Sequence, residues 1–162
     1  MIVVSDTSPL NYLILIGEAN VLPSLFDRIV IPPAVLNELG HSQTPRLMAE
    51  WVSSPPAWLE VLAPTTIDVS LPLGRGEMEA IGLAQELKAD SLLLDERKAS
   101  TIARKLGLIV TGTLGVLALA AERNVLNLPQ VITALRQTNF REPADVIELL
   151  LQRDAQRRSQ GD

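Results

Sequence analysis

The chain has 162 residues, 47% of them hydrophobic, and this size and composition predict a single domain with a sizeable buried core. Its formal net charge of −5 argues against a protein that coats nucleic acid through overall positive charge. The chain has no cysteine and one histidine, His41, which excludes thiolate chemistry and argues against histidine-rich metal sites. Catalytic chemistry, if present, therefore depends on carboxylates.

The apolar residues near the N-terminus are interrupted by Asp6, Asn11 and Glu18, and no stretch of the chain has the length of an apolar membrane span. The first residues also lack the basic segment of a signal peptide. The sequence therefore predicts a soluble, cytoplasmic protein with no membrane partner.

Strand-like and helical segments alternate in the first half of the chain. Apolar, β-branched runs predict strands over residues 2–5 and 28–31, and an alternating segment predicts another over 58–62. Helices are expected over residues 10–16, 20–26, 34–39 and 45–52, with Gly40 ending the third of them. The prolines, threonines and glycine of residues 63–75 predict a loop.

The second half continues this alternation. Strands are expected over residues 91–94 and 108–110, and helices over 76–87, 96–106, from 113 through 122, 129–137 and 143–158. This order of elements is typical of a parallel sheet with helices on both faces, so the predicted class is α/β. Residues 1–158 are expected to form one domain, and residues 159–162 a frayed C-terminal tail.

Two aspartates follow predicted strands: Asp6 after residues 2–5, and Asp95 after residues 91–94. In open α/β sheets, ligands bind beyond the carboxyl ends of the strands. A carboxylate buried there costs desolvation energy, which a helix N-terminus or a cation offsets. Each aspartate alone is explained equally well as the N-cap of the helix that follows it. The pair at two strand ends favours a site.

Glutamates supply the remaining acidic candidates. Glu38 lies on the short helix after the second strand, where it is expected to point along the rim of the sheet. Glu77 shares a helix face with Ile81 and Ala84, and we expect it at the buried end of that face. Glu79 is expected to be more exposed and is kept as a second choice to Glu77.

An all-carboxylate set suits Mg²⁺ or Mn²⁺, because these small, hard cations prefer oxygen ligands and retain several waters. Such a cation activates a water and stabilises charge on a phosphate in transit. The residues therefore point to metal-dependent phosphodiester hydrolysis.

Five segments, taken in order, resemble the PIN-domain family, and in particular its prokaryotic VapC-like branch. They are residues 3–10 (VVSDTSPL), 31–39 (IPPAVLNEL), 76–84 (GEMEAIGLA), 93–99 (LLDERKA) and 110–117 (VTGTLGVL). The resemblance spans nearly the whole chain, and the ordered set is more specific than any one motif.

The resemblance implies a three-layer α/β/α fold whose parallel five-stranded sheet has the order 3-2-1-4-5. It also implies an Mg²⁺- or Mn²⁺-dependent endoribonuclease, frequent homodimers, and a toxin role with an antitoxin protein as partner. The family's catalytic and metal-binding acids carry over to Asp6, Glu38, Glu77 and Asp95. Many VapC-like proteins have an aspartate at the position of Glu77.

Five residues are candidates for binding the RNA substrate, and each also has a purely structural interpretation. The hydroxyl groups either cap helices or hydrogen-bond a phosphate or a metal-bound water; they belong to Thr7, Ser8, Thr111 and Thr113. Arg97 either contacts an RNA phosphate or lies on a solvated basic helix face.

Two alternatives compete with the toxin ribonuclease. The first is a catalytically inactive PIN-fold protein that keeps its acids but only binds a partner. The second is a phosphatase with Asp6 as nucleophile, which is disfavoured because Ser8 occupies the position where a haloacid-dehalogenase-like phosphatase needs another aspartate.

Overall fold

Five short strands form one parallel sheet in the computed structural model, which describes residues 1–41 and 46–161. The strands are β1 (Ile2–Ser5), β2 (Arg28–Ile31), β3 (Leu59–Val61), β4 (Ser91–Leu93) and β5 (Val110–Thr111). Their order is β3-β2-β1-β4-β5, and each neighbouring pair is parallel. This confirms the α/β class and the expected order 3-2-1-4-5, and it places β1 at the centre.

Helices connect the strands in the described part of the chain. They are α1 (Thr7–Leu15), α2 (Val21–Leu25), α3 (Pro33–His41), α4 (Arg46–Ser53), α5 (Arg75–Leu87), α6 (Arg97–Lys105), α7 (Thr113–Glu122), α8 (Leu128–Arg136) and α9 (Ala144–Gln160). The predicted helix start at residue 45 lies outside the described residues. Parallel strands need such crossover connections, because the chain must return to the same edge before each new strand.

The side chains of β1, β2 and β4 alternate between two separate apolar cores. On β1, Val3 belongs to the cluster that contains Leu13 of α1 and Leu117 of α7. Its neighbour Val4 belongs to the other cluster, with Leu83 of α5. Successive strand residues point to opposite faces of a sheet, so the two cores lie on opposite sides. The result is the expected three-layer arrangement of helices, sheet and helices.

Several helix and strand bounds differ from the sequence prediction. Helix α1 begins at Thr7 rather than at residue 10, because the chain enters the helix directly after Asp6. Helix α3 continues through Gly40 to His41, since Gly40 is not in the left-handed conformation that ends helices at glycine. The ladder places β5 at Val110–Thr111 rather than at 108–110, because Leu92 and Leu93 pair with these two residues.

At the C-terminus, α9 runs to Gln160, so Ser159 and Gln160 are helical rather than part of a tail. Residue 162 lies outside the described residues. Across residues 1–41 and 46–161, none of the helices combines the length and the apolar composition needed to cross a bilayer.

Candidate active site

Asp6 lies at the carboxyl end of the central strand. Its main-chain N–H donates to the Leu93 carbonyl at 2.9 Å, which extends the pairing of β1 with β4 by one residue. The residue occupies the N-cap position of α1, but its side chain makes no capping hydrogen bond. Asp6 is only 5% exposed. The geometry therefore does not support the helix cap as the role of this carboxylate.

The Asp6 carboxyl is held in an unfavourable environment for a charge. Burial raises the pKa of this carboxyl to about 7, and the nearby Thr7 N–H opposes that rise only in part. The charges of Glu77, Glu38 and Asp95 raise the pKa further. The Asp6 Oδ1 atom is buried, and within the described residues it has no hydrogen-bond partner. A buried acceptor without a partner is costly, and its presence at this position calls for an explanation.

Glu38 extends from α3 towards two other helices. Its Oε2 accepts a hydrogen bond from the Thr7 hydroxyl at 2.5 Å, and its Oε1 accepts from the Gly76 N–H at 3.2 Å. The side chain is exposed, as expected for a position on the rim of the sheet. Through these two bonds, Glu38 links the start of α1 to the start of α5.

Glu77 lies in the first turn of α5, and its Oε1 accepts from the Gly74 N–H at 3.1 Å, as in a capping box. The residue is half-buried. Burial raises the pKa of Glu77, the Gly74 N–H lowers it, and the charges of Glu96 and Glu38 raise it again. Glu77 and Asp6 therefore interact electrostatically with the same neighbouring acid, Glu38.

Glu79 is the more buried of the two glutamates of α5, so the expectation that it is exposed was wrong. Its Oε1 accepts from the Ala34 N–H at 3.2 Å, and its Oε2 accepts from Arg75 Nε at 2.6 Å. The first turn of a helix leaves N–H groups without intrahelical partners, and Glu79 satisfies one of them on α3. The helix face predicted to be more exposed is thus covered by the start of α3.

Asp95 follows β4 but does not cap α6, because Glu96 accepts from the N–H groups of Lys98 and Ala99 in that role. The Asp95 carboxylate instead accepts from Thr113 twice, at 2.7 Å from its N–H and at 2.7 Å from its hydroxyl. Burial raises the pKa of Asp95, and both bonds from Thr113 oppose the rise. Asp95 therefore joins the end of β4 to the start of α7.

The residues predicted to bind substrate differ in their hydrogen bonds and in their exposure. The hydroxyls of Thr7 and Thr113 bind Glu38 and Asp95, and the Thr111 hydroxyl lies 2.7 Å from that of Ser91. Ser8 is half-buried in α1, and Arg97 is exposed at the start of α6. The three threonines are thus committed to hydrogen bonds within the protein.

The four acids surround one edge of the sheet, but they do not form a closed cage. Within residues 1–41 and 46–161, no group of three or more Asp, Glu, His or Cys side chains is arranged to enclose a metal ion. The reason is visible in the hydrogen bonds, since Glu38, Glu77 and Asp95 each accept from a backbone N–H. The arrangement is a set of electrostatically coupled carboxylates around a buried, unsatisfied Asp6.

Sequence reasoning missed Tyr12 of α1, which lies beside this set. Its hydroxyl donates to Asn139 Oδ1 at 2.9 Å, and its ring meets Phe140 edge-on with centroids 5.0 Å apart. Burial raises the pKa of Tyr12, the charge of Asp95 raises it further, and Arg141 lowers it. Nothing in the local sequence indicated that the segment between α8 and α9 packs against α1, because that contact is long-range.

Two comparisons with known proteins give matches. The fold is similar to that of a PilT N-terminus domain protein from the hyperthermophilic archaeon Sulfolobus solfataricus P2, with a TM-score of 0.53 and 23% identity over 73% of this chain and 92% of that one. A family model described as a PIN domain (DUF3368) matches residues 2–156. No curated protein matches the sequence. At 23% identity the structural likeness concerns the fold alone, whereas the family model spans nearly the whole chain.

The raised pKa of Asp6 makes a prediction about stability in the absence of divalent cations. Between the unfolded value of 3.8 and the folded value of about 7, the folded state keeps a proton that the unfolded state has lost. Stability therefore falls as the pH rises through this window, by on the order of 4 kcal/mol from Asp6 alone, and the loss is complete above it. We expect Asp6→Asn to stabilise the protein at pH 8 and to have a smaller effect at pH 5.

Urea unfolding of both proteins in EDTA, over a series of pH values, measures this difference. Asp145→Asn, which changes an exposed carboxylate in the first turn of α9, is the matched control and should show no such trend. A stability difference between wild type and Asp6→Asn that stays constant from pH 5 to pH 8 would contradict the raised pKa.

The bonds of Glu79 predict a structural role for that residue. Glu79→Ala leaves the Ala34 N–H without its partner, and we expect a loss of about 1–3 kcal/mol in the free energy of unfolding. Arg46 and Glu50 supply a control, because they form the same i,i+4 ion pair with both side chains exposed. Glu50→Ala should change the stability by less than about 0.5 kcal/mol. Equal losses in the two variants would refute the anchoring of α3 by Glu79.

Proposed function

The chain belongs to the PIN-domain family, and from that premise we propose that it is a ribonuclease that uses a divalent cation at the Asp6 site. The family is typically associated with nucleases and divalent metals, which agrees with the resemblance found in the sequence. The proposed reaction is hydrolysis of RNA phosphodiester bonds.

The observation that carries the proposal is the state of Asp6. The carboxylate is buried, its Oδ1 has no partner among the described residues, and three further acids raise its pKa. Like charges gathered at a site of low polarity destabilise the fold unless a cation compensates them. A cation-binding function would explain why the protein keeps this destabilising cluster of acids, which the fold by itself does not require.

The donor set fits Mg²⁺ or Mn²⁺ by its chemistry. All four acids offer oxygen atoms, and such cations are commonly held by one or two carboxylates while they keep several waters. Asp6 Oδ1 would be the direct ligand, and Glu38, Glu77 and Asp95 would contact the cation directly or through its waters. When bound, the cation supplies a Lewis acid for the phosphate and a more acidic water.

The protein's own residues then prepare the site for phosphate chemistry. In the absence of a cation Asp6 is partly protonated near neutral pH, because its pKa is about 7, and a positive charge beside it favours release of that proton. Burial of the Asp6 carboxylate restricts the access of bulk water. Thr7 and Thr113 hold Glu38 and Asp95 in place, so their part is to orient acids.

RNA phosphates would be met at the start of α6. Arg97 and Lys98 are both exposed there, next in sequence to Asp95 and Glu96. The Lys98 charge lowers the pKa of Glu77, which indicates that this helix start faces the acidic set. Ser8 is the remaining candidate contact. In the described structure the hydroxyls of Thr7 and Thr113 are bonded to acids of the site, whereas that of Ser8 is not.

The direct test is cleavage of a mixed RNA oligonucleotide pool with Mn²⁺ or Mg²⁺, followed on a gel. We expect wild type to cleave, EDTA to abolish cleavage, and Asp6→Asn to lower the rate by about 100-fold or more. Asp145→Asn removes a carboxylate far along the chain in α9 and should leave the rate within about twofold of wild type. Equal rates for wild type and Asp6→Asn would contradict the assignment of the site.

One observation favours the alternative of a catalytically inactive PIN-fold protein that binds a partner. Glu38, Glu77 and Asp95 are already satisfied by backbone N–H groups, so the described side chains hold no ready-made cage. Calorimetric titration with Mn²⁺ separates the two candidates. No measurable binding at millimolar Mn²⁺ would favour the interaction protein over the nuclease.

We extend the proposal to the biological setting that the sequence resemblance implies, a homodimeric toxin neutralised by an antitoxin protein. Expression of the chain alone should then arrest bacterial growth, and Asp6→Asn should relieve the arrest. Co-expression of the protein encoded by the neighbouring gene should also restore growth. Unimpaired growth with soluble wild-type protein accumulating would contradict the toxin role, and light scattering would measure the oligomeric state.

A further inference from the structure

Two acids of the candidate active site accept hydrogen bonds from the first turns of helices to which they do not belong. Glu38 belongs to α3 and accepts from the Gly76 N–H in the first turn of α5. Asp95 follows β4 and accepts from Thr113, the first residue of α7, directly after Gly112. In both places a glycine lies at the point of contact.

At Gly76 the approach leaves no space for a side chain. A Cβ built on this residue would lie 2.5 Å from Glu38 Oε1, and 2.9 Å from its Cδ and Oε2. Such distances are far below ordinary van der Waals contact, so a methyl group and the present position of Glu38 exclude one another. The same carboxylate also accepts from the Thr7 hydroxyl, which fixes its other oxygen.

At Gly112 the approach is similar but less close. A Cβ there would lie 3.0 Å from Asp95 Oδ1, the same oxygen that accepts from the Thr113 N–H at 2.7 Å. The second oxygen accepts from the Thr113 hydroxyl at 2.7 Å. Asp95 would therefore have to move by a few tenths of an ångström, against two hydrogen bonds, to admit a methyl group.

Backbone conformation does not explain either glycine. The described glycines with positive φ are Gly17 and Gly107, and Gly112 has a φ of −86°, which every residue adopts. Within a helix, where Gly76 lies, alanine is favoured over glycine by up to about 1 kcal/mol. Gly112 is the N-cap of α7, a position that favours glycine over alanine, so capping is a second reason for a glycine there. What both positions share is the missing side chain beside a carboxylate.

We infer that Gly76 and Gly112 are positioning residues for the candidate active site: each lets a helix start approach an acid of another segment closely enough to fix its carboxylate. The inference rests on the proposed function for its consequence, because the fixed carboxylates are those proposed to meet the cation. It adds two residues that touch neither cation nor RNA.

The inference predicts that the two substitutions differ in degree. Glu38 is exposed, so in Gly76→Ala its side chain swings away and loses the bonds to Gly76 and Thr7, while the fold is retained. Asp95 is half-buried and doubly bonded, so in Gly112→Ala it shifts only slightly. Gly40→Ala is the control on α3, since its Cβ would meet Val52 Cγ1 at an ordinary 3.4 Å.

The first measurement is Mn²⁺ affinity by calorimetric titration of the full chain. We expect Gly76→Ala to weaken binding roughly 10- to 100-fold, as the loss of residues that orient metal ligands typically does. Gly112→Ala should weaken it less, and Gly40→Ala should stay within about twofold of wild type. Binding that is unchanged in Gly76→Ala, or weakened as much in Gly40→Ala, would overturn the inference.

The second measurement needs no cation and is a double-mutant cycle on urea unfolding in EDTA. Glu38→Ala is compared in the wild-type and Gly76→Ala backgrounds. If Gly76 positions Glu38, the bonds of Glu38 are already lost in Gly76→Ala, so Glu38→Ala should destabilise that background less than wild type. Identical shifts of the urea midpoint in both backgrounds would overturn the positioning role.

The two measurements distinguish the failure of the inference from that of the proposed function. If wild type binds no Mn²⁺, the proposed nuclease function fails, and the unfolding cycle alone decides whether Gly76 positions Glu38. If wild type binds Mn²⁺ and the unfolding cycle shows no coupling, the positioning role is wrong and the proposed function stands.

Discussion

A carboxylate buried at the end of the central strand is the constraint on which the rest of this edge of the protein depends. Asp6 is 5% exposed, with one oxygen unpartnered in the described structure and three other acids acting on it. Such a group loses its hydration without gaining a full set of hydrogen bonds. The surrounding elements have to tolerate a concentration of negative charge that a purely structural strand end would avoid.

The N-termini of several helices stabilise the negative charge at this edge. Helices α1, α3, α5 and α7 all begin at this edge, and the N–H groups of Ala34, Gly76 and Thr113 each donate to a carboxylate. The partial positive charge at a helix N-terminus stabilises nearby anions. Repulsion among the acids is thus offset locally, and among the described residues no lysine or arginine is buried at the centre. The same bonds keep the acids apart, which explains why they surround Asp6 without closing into a cage.

Local patterns predicted the frame of this arrangement well, and long-range contacts account for the rest. The bounds of β1 and β2 and the strand-end positions of Asp6 and Asp95 follow from short apolar runs and the residues after them. Periodicity on α5 separated Glu77 from Glu79 but assigned the greater exposure to Glu79, because it could not show that α3 covers that face. Likewise the partner of Asp95 is Thr113, eighteen residues onward, which no local signal revealed.

The pairing of β1 with β4 determines when, during synthesis of the protein, the surroundings of Asp6 are assembled. Ser5 pairs with Leu93, Asp6 bonds to the Leu93 carbonyl, and Asp95 is fixed by Thr113. These contacts span most of the chain, so β1 finds its first neighbour, β2, early, whereas its other neighbour, β4, is made some ninety residues later. A nascent chain that stops before residue 113 carries Asp6 without the elements that complete its surroundings. The order of translation itself therefore withholds the assembled site until Thr113 has been made.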